Sequence, residues 1–187
     1  MALPHQVTGN VRKIRLLLLD VDGVLTDGKI TLLPDGEEVK SFSIYDGLAI
    51  RLAQRAGIEV GFITGRSSRV VSLRALELGV NLVVQGSSDK SADLRKALRE
   101  RQLESDEVAY MGDDLADIPP LRLAGFSAAP ENAAEQVKYQ VHYVTRAKGG
   151  EGAVREVIEL LLKTAGKWNQ AIDALNESSD PSTPSND

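Results

Sequence analysis

Four consecutive leucines, Leu16–Leu19, stand between Arg15 and Asp20. So short a run cannot cross a bilayer, which takes about 20 apolar residues. It does not alternate either, as a strand with one wet face would. A strand covered on both faces, in a parallel sheet, satisfies it. We therefore expect a buried parallel strand over residues Ile14–Leu19, running into the loop Asp20-Val21-Asp22-Gly23-Val24-Leu25-Thr26-Asp27-Gly28.

The same alternation recurs downstream. Lys29–Leu33 and Glu37–Ser43 flank Pro34-Asp35-Gly36 and read as a β-hairpin. Tyr45–Ala56 reads as a helix that stops at Gly57. Strands are expected over Glu59–Ile63, Val80–Val84 and Val108–Met111, with short ones at Phe126–Ala128 and Tyr143–Val144. Helices are expected over Ser67–Leu78, Asp89–Arg101, Leu115–Leu123 and Ala153–Ala165; Pro119 and Pro120 should cut or restart the third. Val154, Val157, Ile158, Leu161 and Leu162 give the last its apolar stripe. Strands alternating with helices predict an α/β fold: a Rossmann-like, mainly parallel sheet with helices on both faces and a β-hairpin insertion. We expect an N-terminal arm (1–13), one domain (14–166) and an acidic tail without fixed structure (167–187).

Composition narrows the function. The 187 residues contain no Cys and two His, His5 and His142. That excludes disulfides, thiolate catalysis and Cys-based zinc sites, and leaves little for a Ser-His-Asp triad or a multi-His metal site. His142, on Val141-His142-Tyr143-Val144, reads as structural. Three Phe, one Trp and four Tyr imply an aliphatic core and no stacking platform for single strands. The net charge is −5, with Asp173, Glu177, Asp180 and Asp187 near the C-terminus, so no basic face for duplex nucleic acid is expected. No membrane span and no secretory apolar stretch is seen, which predicts a cytoplasmic protein.

Ligands of an open parallel sheet bind beyond the carboxyl ends of its strands. There this chain places Asp20 and Asp22, then Thr64-Gly65-Arg66, then Asp89-Lys90, then Gly112-Asp113-Asp114 with Asp117 one turn on. Two carboxylates about 4 Å apart repel by about 4 kcal/mol at an effective dielectric of about 20. Asp20, Asp22, Asp113 and Asp114 would crowd one pocket if their strands are neighbours, and such crowding calls for a cation or protons. All-oxygen ligands select a hard divalent ion, Mg²⁺. Thr64, Lys90 and backbone N–H groups complete a cradle for a tetrahedral oxyanion. A carboxylate is the nucleophile this chain can best offer, with a second acid two residues on for proton transfer.

These residues resemble the four motifs of the haloacid dehalogenase-like phosphohydrolases, in order, from about Ile14 to Ala165. The resemblance implies Asp20 as nucleophile and metal ligand. It implies Asp22 as general acid/base, binding metal and substrate, with its backbone carbonyl on the metal. Thr64 and Lys90 would hold the phosphoryl group, Asp113 the metal, and Asp114 and Asp117 would support the site. The gaps between motifs, 64 − 20 = 44 and 90 − 64 = 26 residues, leave no room for a cap domain. Among capless members the chain is similar to the 3-deoxy-D-manno-octulosonate 8-phosphate phosphatases, through DVDGVLTDG (20–28), PDGEEVKSF (34–42), DGLAIR (46–51), FITGR (62–66), GDDLADIP (112–119) and GGEGAVREV (149–157). That likeness implies a homotetramer built through the hairpin, a sugar-acid phosphate substrate in bacterial lipopolysaccharide biosynthesis, and substrate contacts from Asp46, Gly47, Arg51, Arg66 and Arg74. Where that family usually carries Arg before Asp-Gly, this chain has Tyr45. Three alternatives stay open: a phosphatase for nonulosonate 9-phosphates or another phosphomonoester, a receiver-like signalling domain, and an inactive oligomeric scaffold.

Overall fold

A computed structural model describes residues 9–177 of the chain. Its main sheet has six parallel strands: β1 (Leu16–Leu19), β4 (Glu59–Ile63), β5 (Leu82–Val84), β6 (Val108–Met111), β7 (Phe126–Ala129) and β8 (Tyr143–Val144). Their spatial order is β5-β4-β1-β6-β7-β8. A separate antiparallel pair, β2 (Thr31–Leu32) and β3 (Glu38–Val39), forms the hairpin. The hairpin turns where Pro-Asp-Gly predicts, with Gly36 at φ +87°. Its paired part is shorter than expected.

The helices are α1 (Ile44–Arg55), α2 (Arg69–Leu78), α3 (Lys90–Arg101), α4 (Ile118–Leu123), α5 (Glu135–Lys138), α6 (Ala153–Thr164) and α7 (Trp168–Glu177). The prolines restart the chain as expected: a 3-10 turn at Leu115–Asp117 passes into α4, with Pro119 in its first turn.

The leucine run explains the layering. Successive strand side chains point to opposite faces. Leu17 and Leu19 enter a core with residues of α1, α6 and α7, including Ile50, Val157, Ile158 and Ala171. Leu16 and Leu18 enter a second core with Leu94 and Leu98 of α3, Leu121 of α4 and Val137 of α5. All four leucines are fully buried.

One boundary needs correction. The tail expected to lack fixed structure from residue 167 begins instead with α7. Ala171 is buried, Arg55 Nη1 donates to the Ala174 carbonyl at 2.6 Å, and Lys167 Nζ donates to the Ala56 carbonyl at 3.1 Å. Residues 178–187 lie outside the described part. At the other end, Val11 joins the core. Among the described residues no helix is long and apolar enough to cross a membrane.

Because Leu18 is enclosed on the second face, Leu18→Ala should cost about 2–5 kcal/mol. Urea denaturation of the two proteins side by side measures this.

Candidate active site

β1 pairs in parallel with β6, Leu19 opposite Met111, so the loops after both strands open at the same sheet edge. The Asp20 N–H donates to the Met111 carbonyl at 2.9 Å and keeps Asp20 on the end of the ladder. Beyond it the chain folds into a tight turn, where the N–H groups of Val24, Leu25 and Thr26 all point to the Val21 carbonyl. Gly23 sits at φ +95°, and a Cβ there would lie 2.0 Å from Asp113 Oδ2. Glycine is therefore required twice, for the backbone and for the carboxylate opposite. The Gly149-Gly150 segment packs against the same turn. The Gly150 N–H donates to the Val24 carbonyl at 3.0 Å, and a Cβ on Gly149 would strike the Gly23 carbonyl.

Three carboxylates, Asp20, Asp113 and Asp117, present oxygens within 4.8 Å of one another. Lys90 reaches into them from the first turn of α3, at 2.9 Å from Asp20 Oδ1 and 2.7 Å from Asp117 Oδ1. Asp89 caps that helix through the N–H groups of Ser91 and Ala92, which fixes where Lys90 emerges. Burial works against the ammonium, but the two carboxylates outweigh it and raise its pKa.

The three acids differ. Asp117 is fully buried, and both of its oxygens are engaged. Oδ1 accepts from Lys90 and from the Tyr110 hydroxyl (2.8 Å); Oδ2 accepts from the N–H groups of Asp113 (3.1 Å) and Asp114 (3.3 Å). It is a hub that orients its neighbours. Asp113 Oδ1, by contrast, is buried with no hydrogen-bond partner. Burial first, then the charges of Asp20 and Asp117, push Asp113 up to about 8. Burial and Asp117 push Asp20 up to about 6, against the pull of Lys90. An orphaned oxygen beside a second strained carboxylate, with no His or Cys near, fits a hard divalent cation. Asp114 is exposed and caps the turn at Leu115.

Thr64 lies at the end of β4. It is buried, held by its N–H to the Val84 carbonyl at 2.9 Å. Asp22 stands apart from the three-acid cluster. Its Oδ1 is paired with Lys40, and its Oδ2 lies 3.7 Å from Arg66 Nε. Glu38 accepts from Arg66 at 2.9 Å and lies 3.3 Å from Lys40 Nζ. A cleft of about 350 Å³, with Glu37, Glu38, Ser67 and Ser68 in its wall, adjoins this group.

The other expected substrate contacts fare differently. Arg66 joins Asp22, as just described. The Asp46 carboxylate is buried and accepts from the N–H groups of Gly152 (3.3 Å) and Arg155 (2.8 Å) at the start of α6. Both oxygens bind a helix start, so in this chain the side chain caps α6. Arg74 is stacked over Phe42 (5.6 Å) and donates to Glu77 Oε2 and the Ser43 carbonyl. Arg51 donates to the Glu77 carbonyl at 3.1 Å. A Cβ on Gly47 would lie 2.4 Å from Arg74 Nη2 and would displace that guanidinium. Gly47, Arg51 and Arg74 thus line a small cleft of about 180 Å³ between α1 and α2, whose wall contains none of the acidic cluster. Within one chain they are not brought to Asp20. His142 is structural, stacked on Phe126 and bonded through Nδ1 to Ser127.

Sequence reasoning missed Lys40 and Glu38. Alternation supplied a signal: in a strand, residues two apart share a face. Glu38 and Lys40 turn toward Asp22, while Val39 between them is exposed.

Residues 79–158 match the family model of the haloacid dehalogenase-like hydrolases. The chain is 44% identical over 165 residues to 3-deoxy-D-manno-octulosonate 8-phosphate phosphatase KdsC of Escherichia coli K12, covering 88% of each protein. It is 44% identical over 168 residues to that of Salmonella typhimurium, covering 90% of this chain and 89% of the relative. The crystal structure of the phosphatase from Yersinia pestis superposes with TM-score 0.86 at 42% identity, covering 88% of this chain and 89% of the other. That from Moraxella catarrhalis, solved with magnesium, phosphate and KDO, superposes with TM-score 0.87 at 39% identity, covering 90% and 97%.

The raised acids give a pH signature. Both hold protons more tightly in the folded chain than in the unfolded one, so metal-free stability falls as pH rises from the usual carboxylate range through about 6 and about 8. Asp113→Asn removes part of that repulsion. In EDTA at about pH 9 it should melt above the wild type, by about 2–4 °C for each kcal/mol gained, and at about pH 4 the gap should close. Added Mg²⁺ should raise the melting temperature of the wild type more than that of the variant. Differential scanning fluorimetry reads both.

Proposed function

The chain belongs to the haloacid dehalogenase-like hydrolases, among the 3-deoxy-D-manno-octulosonate 8-phosphate phosphatases, and from that premise we propose what it does and which residues do it. It is a Mg²⁺-dependent phosphomonoesterase that releases phosphate from 3-deoxy-D-manno-octulosonate 8-phosphate. The observation that carries the reading is the Asp20–Asp113–Asp117 cluster gripped by Lys90, with one buried Asp113 oxygen left open.

Asp20 and Asp113, with the Asp22 backbone carbonyl, would hold the ion; Asp117, saturated by four donors, would not. When bound, the ion neutralises the crowded carboxylates and draws charge from the phosphoryl oxygens. Asp20 attacks phosphorus, forming a P–O bond to its carboxylate as the bond to the sugar O8 breaks. Asp22 gives a proton to the departing oxygen. A water then attacks the aspartyl-phosphate phosphorus and gives its proton to Asp22, and the bond to Asp20 breaks to release phosphate. Lys90 and Thr64 steady the transferring group, while Asp117 aims Lys90. Arg66, half exposed beside Asp22, is suited to the anionic substrate through its planar fork.

Among the described residues no cap domain covers the site, so it is open. A row of exposed apolar residues on and after the hairpin (Ile30, Leu32, Leu33, Val39, Ile44 and Tyr45) supports burial against other copies, and we read the assembly as a homotetramer. In such an assembly the Arg51–Arg74 cleft of one copy is free to serve the open site of the next. We read the enzyme as a cytoplasmic one, serving lipopolysaccharide precursor synthesis. Light scattering should give about four chains per particle.

Two assays test the reading. Asp20→Asn should lose all measurable turnover while keeping its fold, and EDTA should silence the wild type until Mg²⁺ is restored. Phosphate release should favour the octulosonate 8-phosphate over N-acetylneuraminate 9-phosphate and a hexose 6-phosphate by about a hundredfold or more, roughly 2.7 kcal/mol. Equal, slow release from all three would keep the phosphatase and remove the substrate, and Tyr45 would then be the first position to change to Arg.

A further inference from the structure

Lys40 has no part in the chemistry described so far, yet its side chain is only 1% exposed. It arrives from the hairpin, just after β3, and its ammonium pairs with Asp22 Oδ1. Burying an ammonium is costly unless it is paired, so this placement needs a partner, and Asp22 and Glu38 provide two. Arg66 meets the other side of the same carboxylate, but at 3.7 Å from Oδ2 it stands beyond hydrogen-bond reach. Glu38 balances both cations, through Arg66 Nη2 at 2.9 Å and Lys40 Nζ at 3.3 Å. The four side chains form a closed set of two acids and two bases around the group that must exchange a proton with the leaving oxygen.

We propose that Lys40 is a positioning residue for Asp22: it holds Oδ1, fixes the rotamer, and leaves Oδ2 as the oxygen that passes the proton. The inference rests on the phosphatase reading above. In the first half-reaction the proton goes from Asp22 Oδ2 to the leaving oxygen as its bond to phosphorus breaks. In the second, Oδ2 takes a proton from the attacking water. Without Lys40 the carboxylate can rotate away, and delivery of the proton suffers while the nucleophile, the metal ligands and Lys90 stay in place.

A proton matters only to a leaving group that needs one. The alkoxide of the sugar 8-phosphate does; the p-nitrophenolate of p-nitrophenyl phosphate does not. The parameter to compare is kcat/KM, which covers the steps through departure of the leaving group and not the later hydrolysis of the aspartyl-phosphate. Lys40→Met should lower kcat/KM for the sugar phosphate by about a hundredfold, within the range general acids contribute. The loss with p-nitrophenyl phosphate should be at least about tenfold smaller. Lys40→Arg, which keeps a cation at the same place, should recover most of the difference, and it serves as the readout if the Met variant does not fold. Equal losses on both substrates would make Lys40 a structural residue and overturn the proposal, as would full activity of Lys40→Met on the sugar phosphate. A wild type inert toward both phosphates would instead overturn the phosphatase reading.

Discussion

One ammonium holds this site together. Lys90 lies between Asp20 and Asp117 at 2.9 and 2.7 Å, in a pocket where a third acid, Asp113, has an oxygen with no partner. Three carboxylates and one cation leave an excess of negative charge in a low-dielectric place. A divalent ion relieves it, and so does protonation: burial first, then the neighbouring carboxylates, make Asp20 and Asp113 hold their protons well above the usual carboxylate range. The same crowding that destabilises the metal-free site suits it to a metal and a phosphoryl group. Much of the surrounding structure meets this need. The parallel pairing of β1 and β6 brings the acids together, Gly23 makes room for Asp113, and Asp89 sets where Lys90 begins its helix.

Asp117 shows how proximity and role part company. It is close enough to Asp20 and Asp113 to count as a third metal ligand. Its lone pairs, however, are taken by Lys90, Tyr110 and two backbone N–H groups. A buried carboxylate satisfied by four donors gains little from a metal and loses much by releasing them. It supports the site by fixing both Lys90 and the backbone of Asp113.

The fold and two acids of the centre, Asp20 and Asp113, were legible because each depends on local sequence; the expected crowding of Asp22 and Asp114 with them is corrected, since Asp117 takes that place while Asp22 pairs with Lys40 and Asp114 is exposed. Leu16–Leu19 announces a strand covered on both faces, Asp20 and Thr64 follow directly on a strand, Lys90 opens a helix, and Asp113 comes after β6 with only Gly112 between. What escaped depends on long-range placement. Asp46 stands at the start of α1, and its capping of α6, across more than a hundred residues, shows in no local pattern. Arg51 and Arg74 sit on helix faces whose neighbours no single-sequence pattern reveals, and they meet Glu77. Lys40 hides in a hairpin that reads as a surface element until its side chain is seen turned inward. α7 was missed because the acidic composition of the C-terminal segment masked its packing face, where Ala171 is buried against the core.

The proposed mechanism requires a covalent bond between phosphorus and Asp20. The most direct test is rapid acid quenching of a single turnover with labelled octulosonate 8-phosphate and Mg²⁺, followed by peptide mapping. Transient label on Asp20, labile to hydroxylamine and decaying as phosphate appears, is the predicted result. Full turnover with no protein-bound label at any time, or label on another residue, would contradict it.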